Sequence, residues 1–120
     1  MTEAAVIFAW LGKFGMPVYA RGCVPDDAAY PYLVVDLSVG GWGEGEQTQT
    51  VDLYDYTTSA ARANAEAREV VAGLGLGGVY LPCDGGAVWL KRGSPAWLAM
   101  DQGDGVRQRR INITAEFETY

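Results

Sequence analysis

The feature that most constrains this chain is a strict alternation near its C-terminal end, where Ile111, Ile113, Ala115 and Phe117 interleave with Asn112, Thr114, Glu116 and Glu118. A period of two places the apolar side chains on one face and the polar ones on the other, so the segment reads as a strand with one buried face. Such a strand needs partners beside it, and the residues before it supply them. Val79-Tyr80-Leu81-Pro82-Cys83 and Ala87-Val88-Trp89-Leu90-Lys91-Arg92 flank Asp84-Gly85-Gly86, residues that tolerate the positive φ of a tight turn, and a β-hairpin is predicted there. Ser94-Pro95 then offers a hydroxyl acceptor at N-cap and a preset φ at N1. Ala96-Trp97-Leu98-Ala99-Met100 are therefore expected to start a short helix, ended by Gly103 and Gly105.

Upstream, Thr2 can cap a helix whose apolar positions Ala5, Val6, Phe8, Ala9 and Leu11 cover much of its circumference, so it should pack on a sheet. Residues 16–31 hold Pro17, Pro25 and Pro31 with little periodicity and read as an extended connector of about fifteen residues, a length at which loops tend to carry function. Residues 32–38 and 47–56 alternate as two strands around a Gly-rich acidic tip that contains Trp42, Glu44 and Glu46. A tryptophan on such a tip either makes an outside contact or packs back on its own sheet. Thr58 or Ser59 caps the longest helix, residues 60–73, whose stripe of Ala63, Ala67, Val70, Val71 and Leu74 allows close approach to a sheet. Arg62 and Glu66, four apart, form a modest pair on its outer side. The run Gly73-Leu74-Gly75-Leu76-Gly77-Gly78 breaks that helix and leads into the hairpin. With no repeat, low-complexity tract or linker, residues 1–120 form one domain. The order helix, strand, strand, helix, strand, strand, short helix, strand predicts an α+β sandwich, mostly antiparallel, with helices packed on one face.

The 120 residues have room for one core. A hydrophobic share of 49% against 20% charged residues is too apolar for disorder. The formal charge of −6 argues against a nucleic-acid-binding module, because neutralising phosphates takes an excess of Lys and Arg. There is no histidine, so a serine or cysteine nucleophile lacks its usual base, and with no CxxC spacing a zinc or haem site has almost no ligands. Cys23 and Cys83 are too few for a disulfide framework and are expected as reduced thiols. The apolar stretch 4–11 is too short to span a bilayer and lacks the flanks of a secretory signal, so the chain is expected to be made and kept in a cytoplasm, without a membrane partner. The Asn112-Ile113-Thr114 sequon lies in a predicted strand and is read as coincidence.

The remaining candidates for chemistry are weak. The glycine run at 73–78 follows a helix and precedes a strand, the reverse of a phosphate-binding loop, and there is no Walker lysine. Asp52 and Asp55 point to opposite faces of a regular strand and cannot act as an acid/base pair. Asp101-Gln102-Gly103-Asp104-Gly105 places two hard oxygen ligands in a loop without EF-hand spacing, which reads as a solvated helix C-terminus before a weak Mg²⁺ or Ca²⁺ contact. No metal, cofactor or enzymatic activity is expected. Arg107, Arg109 and Arg110 are the basic cluster of the chain, by default a solvated strand end.

One further pattern spans most of the chain from Tyr30 onward. Val88-Trp89-Leu90-Lys91-Arg92-Gly93-Ser94-Pro95, then Met100-Asp101 and Asp104, then Val106-Arg107-Gln108-Arg109-Arg110-Ile111-Asn112-Ile113 and the closing aromatic-acidic strand form a string, with Tyr30-Pro31-Tyr32-Leu33-Val34 and Thr50-Val51-Asp52-Leu53-Tyr54-Asp55 upstream. The string resembles the tail terminator (tail completion, or minor capsid-type) proteins of long-tailed bacteriophages. Its Gly-rich run at 73–78, its Trp42 loop and Gln108 within the basic cluster depart from that family's pattern. The resemblance implies a twisted four- to five-stranded sheet covered by helices. It also implies a ring, hexameric in the family, that caps the tail tube, stops its polymerisation and offers a joining surface to the head connector in the virion neck. DNA would pass the pore without specific binding, which suits an acidic chain. Interface candidates under this reading are residues 16–31, Trp42, Glu44, Glu46, Arg92, Asp101, Asp104, Arg109 and Arg110. The acidic loop of one subunit and the arginine cluster of the next would be complementary in charge. Sister neck proteins, a head-tail stopper or joining protein, share this size and class. A reading from another class is a small ligand-binding domain or enzyme with a pocket lined by Tyr80, Trp89, Trp97 and carboxylates.

Overall fold

The computed structural model describes residues 1–101 and 103–119. The order is α1 (Glu3–Gly12), β1 (Val18–Ala20), β2 (Tyr32–Asp36), β3 (Glu46–Tyr56), α2 (Ala60–Leu74), β4 (Val79–Cys83), β5 (Gly86–Ala99) and β6 (Val106–Thr119). The strands make one sheet in the order β1-β2-β3-β6-β5-β4. The expected α+β class and the prevalence of antiparallel pairing hold, but the sheet has six strands instead of four to five and is mixed. The extra strand is β1, which pairs parallel with β2 through Val18↔Leu33 and Ala20↔Val35. It lies inside the expected connector, where three residues are too few for periodicity to show.

Both helices start as their caps dictate. Thr2 Oγ1 accepts from the Ala5 N–H at 3.1 Å, and Ser59 Oγ accepts from the Arg62 N–H at 3.1 Å. Val6, Ile7, Trp10 and Leu11 of α1 and Ala67, Val70, Val71 and Leu74 of α2 pack on Leu33, Val35, Val51, Leu53, Val88, Leu90, Ile111, Ile113, Ala115 and Phe117, which all share one face of the sheet. Among the described residues no helix packs on the opposite face.

The expected helix after Ser94-Pro95 does not form. Those residues continue β5, which bulges between Arg92 and Trp97 and resumes pairing with β6 at Trp97↔Ile111, Leu98↔Arg110 and Ala99↔Arg109. Proline lacks the N–H a ladder needs and suits a bulge, and a five-residue helix is too short to compete with three further cross-strand pairs and a Trp97 ring laid against the core. The β4–β5 hairpin forms as expected, with Pro82↔Ala87 and Cys83↔Gly86 beside the turn. Gly78 (φ +79°) and Gly86 are both fixed by close approach: a Cβ would collide with the Leu90 carbonyl at the first and the Glu118 carbonyl at the second.

Candidate interaction surfaces

β3 runs from Glu46↔Glu116 to Tyr56↔Val106 along β6, so its even-numbered residues and those of β6 line the uncovered face from end to end. Three groups of side chains furnish that face. At its centre, Asp52 is fully buried despite the missing layer, because Arg21 and Arg110 close over it. Arg110 Nε and Nη2 donate to the two oxygens of Asp52 at 3.0 and 3.1 Å, Arg21 Nη2 donates to Oδ2, and Arg21 Nε reaches Asp36 at 2.9 Å. Burial alone would push the Asp52 carboxyl up; hydrogen bonds from Arg110, Arg21 and Gln108 outweigh it and hold the group below its ordinary value.

Towards the β5–β6 loop, Tyr19, Tyr30, Tyr32, Tyr54 and Tyr56 form a chain of ring contacts with centroids 5.2 to 6.1 Å apart. Tyr30 and Tyr56 remain 43% and 63% exposed at its rim. Towards the other end, Lys91 Nζ lies 4.4 Å above the Trp89 ring and donates to Glu46 Oε1 at 2.7 Å, with Glu116 at 3.5 Å, while Tyr80 donates to Glu118.

The expected interface residues are scattered over this framework. Trp42 is part exposed, but its ring lies over Gly85, and the Gly43 N–H donates to the Phe117 carbonyl at 2.8 Å, so the tip is folded against the end of its own sheet. Glu44 is exposed, Glu46 holds Lys91, and Arg92 is exposed at its bulge. Asp104 is exposed; Gln102 of the same loop, like Tyr120, lies outside the described residues.

Arg109 corrects the expectation of exposure that placed it among the interface candidates. It is 2% exposed, with Nε donating to Asn64 Oδ1 of α2 at 2.8 Å and Nη1 to Asp101 Oδ1 at 2.6 Å. Arg107 Nη1 reaches Asp101 Oδ2 at 2.8 Å, and these two arginines, Arg109 first, hold the Asp101 carboxyl below its ordinary value. The complementary loop and cluster thus meet within one chain, and Arg110 turns to the opposite face. The odd-even parity of Arg109 and Arg110 carried that information, had the strand been extended back through the cluster.

Among the described residues, the side chains considered for chemistry do not converge. Asp52 and Asp55 sit on opposite faces, as strand parity requires. Trp89 pairs with Glu116 on the open face and Trp97 with Ile111 on the covered one, so the aromatics of a conjectured pocket do not converge. An apolar hollow of about 290 Å³ between α1 and β4, lined by Met1, Val6, Ala9, Trp10, Leu81 and Pro82, has no converging polar groups. Among the described residues no three His, Cys, Asp or Glu side chains are placed to hold a metal. Among the described residues no helix is long and apolar enough to cross a membrane.

No protein-family model and no curated protein matches the chain. Its fold has a solved counterpart. One structure, of a protein without a functional name, is similar over 100% of this chain and 99% of its own length, with a TM-score of 0.63 and 17% identity. At that identity the likeness concerns the fold alone.

Sequence reading missed the Asp52 cluster, the tyrosine chain and a second buried aspartate, Asp55, beneath α2. Tyr32 on β2 and Tyr54 and Tyr56 on β3 share parity, with Tyr30 two residues before β2, a signal present in the sequence. The closure of Arg21 over Asp52 depends on the path of the chain after β1 and left no such signal.

Proposed function

We propose that this chain is a structural subunit of a long-tailed phage neck, a tail-terminator-type protein that forms a closed ring, six-fold by the family it resembles. The ring caps the tail tube, ends tube growth and presents its other side to the head-tail connector, with DNA passing through the pore unbound. The observation that carries this reading is the uncovered sheet face. It is dressed with tyrosines and arginines, the side chains enriched at protein interfaces. The string that carries the resemblance supports it too, since its main part folds into the single long hairpin β5–β6, against which β3 and β4 pair. Head-to-tail contacts between unlike surfaces close into rings, so a protein of this kind acts through surfaces and needs no cofactor.

Negative-stain imaging of the purified protein, alone and with tail-tube protein, tests the proposal. Rings, or caps at one end of tubes of limited length, are the expected result. Rings that ignore tubes would move the assignment to a stopper or joining protein of the same neck, and monomers that ignore tubes under every condition would overturn it.

A further inference from the structure

Among the described residues the most exposed large hydrophobic side chain is Leu76, at 97%. It stands between Gly75 and Gly77 on the turn from α2 to β4, and a Cβ added to either glycine would meet nothing within 4 Å, so the tip stands clear of the rest of the chain. The tip is nonetheless held in place. The Gly75 N–H donates to the Ala72 carbonyl at 3.1 Å, and the Gly77 carbonyl accepts from the Trp89 indole N–H at 2.8 Å. Turns favour glycine and small polar residues, and a leucine that buries nothing adds nothing to the fold. An apolar side chain carried on a backbone already fixed loses little freedom when a partner covers it.

The same chain carries a hollow that such a side chain fits. The space between α1 and β4, walled by Trp10 and Leu81 with Ala9 on its exposed side, measures about 290 Å³. An apolar cavity of roughly 150 Å³ already holds a benzene ring, so a leucine side chain enters with room to spare. The Asp84 N–H donates to the Met1 carbonyl at 2.8 Å and ties the Met1 wall of the hollow to the hairpin turn. Leu76 lies three residues before β4 begins, whereas Leu81 and Pro82 are near its end, and β4 is a terminal strand of the sheet. Knob and hollow thus flank one sheet edge at opposite ends. A two-fold axis through the middle of that edge carries each onto the other, the arrangement of an isologous contact. Pro82 has no N–H to give to a ladder, so strand addition along β4 is blunted and side chains must carry the contact.

We propose that Leu76 of one copy fills the hollow between α1 and β4 of a second copy, and that the reciprocal contact makes a two-fold dimer along the β4 edge. The occupant is a second copy because knob and hollow belong to the same chain and neither uses the other within it. The contact does not involve the tyrosine and arginine surface of the open face, so it stands apart from the ring and does not depend on it. Two leucines and the walls around them are a small interface beside the about 1,600 Å² of a standard complex, and the dimer is accordingly weak, populated at roughly 0.1 to 1 mM protein.

Sedimentation of the intact protein up to about 1 mM reads the pairing, and the expected result is passage from monomer to dimer. Leu76→Ser removes the knob, and Ala9→Glu, at an exposed position of α1, places a charge in the hollow. Each should weaken pairing at least ten-fold and leave the urea midpoint unchanged. The Trp10 indole resonance of labelled Leu76→Ser protein then tests the fit directly. It should shift when unlabelled Ala9→Glu protein is added, because that mixture joins an intact knob to an intact hollow, and should stay in place when unlabelled Leu76→Ser protein is added. A monomer throughout the concentration range, undiminished pairing in either variant, or a Trp10 resonance that ignores the Ala9→Glu protein would each overturn the proposal.

Discussion

Strand β3 buries one aspartate completely on each face of the sheet, and the two are treated in opposite ways. On the open face Asp52 receives two guanidinium groups, and its carboxyl is held in the charged form. On the covered face Asp55 and Glu66 share Arg62, while Arg107 and Arg109 of β6, on the same face, share Asp101. The difference follows from what each face is made of. Long polar side chains on the open face can fold over a charge and still reach water with their far ends, as Arg21 and Arg110 do. Under α2 the charged groups sit among small and branched apolar residues, and each is fixed by a specific partner, as Asp55 is by Arg62 and Arg109 by Asn64 and Asp101. The covered face therefore draws its stability from packed area and the open face from mutual screening by its own side chains.

The strongest way to break this contrast is to alter neighbours on β3 that point in opposite directions. Leu53 is fully buried in the core, whereas Tyr54 lies on the open face in the tyrosine chain. Leu53→Ala removes packed volume that α2 and the sheet cannot refill, and should cost about 2–5 kcal/mol. Tyr54→Ala loses one stacked neighbour and part-exposed area, and should cost about 1 kcal/mol. Urea unfolding monitored by tryptophan fluorescence compares the two; equal costs would mean that the open face packs as tightly as the covered one.

A smaller change tests the charges of the open face. In Asp52→Asn the shape remains and the charge is lost, while both arginines can turn to water because they are about 40% exposed. The cost should sit below the ~3–5 kcal/mol of a wholly buried broken pair, at about 1–2 kcal/mol. Its pH dependence has a definite sign. The folded value lies below the ordinary 3.8, so the contribution is complete above that value and is lost as pH falls through the depressed one. The gap between wild type and Asp52→Asn at pH 7 should therefore narrow as pH falls below the ordinary 3.8. Glu66 has the opposite sign, its contribution being lost as pH rises towards about 7.

The elements most legible in the sequence are those whose signal is local. Thr2 and Ser59 announce α1 and α2, Asp84-Gly85-Gly86 announces the hairpin, and the alternation from Ile111 to Glu118 announces β6 with its covered face. Failures occur where a distant partner decides. Trp97-Leu98-Ala99 carry a local helix signal and are drawn into β5 by Ile111, Arg110 and Arg109 across the sheet. Val18-Tyr19-Ala20 become a strand because β2 lies alongside. The candidate surface residues fared similarly. Counting charge predicted that Asp101 would meet an arginine cluster, but only tertiary structure shows that Arg107 and Arg109 reach it from within the chain and that Arg110 belongs to Asp52.

The smallest expected effect on folding bears most on assembly. Tyr56 is 63% exposed at the rim of the tyrosine chain and touches Tyr30 at 6.1 Å between centroids. Tyr56→Ser should change the unfolding free energy by about 0.5 kcal/mol or less, as exposed substitutions do. If the open face is covered when subunits assemble, the same substitution removes an aromatic anchor and should weaken ring formation by ten-fold or more, since such anchors each contribute about 2 kcal/mol or more to an interface. Sedimentation across a concentration series separates the two quantities, because stability is a property of the monomer and assembly depends on mass action. A variant with unchanged unfolding and weakened assembly would make the open face a working surface. Unchanged assembly would mean that the tyrosines serve only to shield β2 and β3 from water, and the interface would then have to be sought at the strand edges or at the helices.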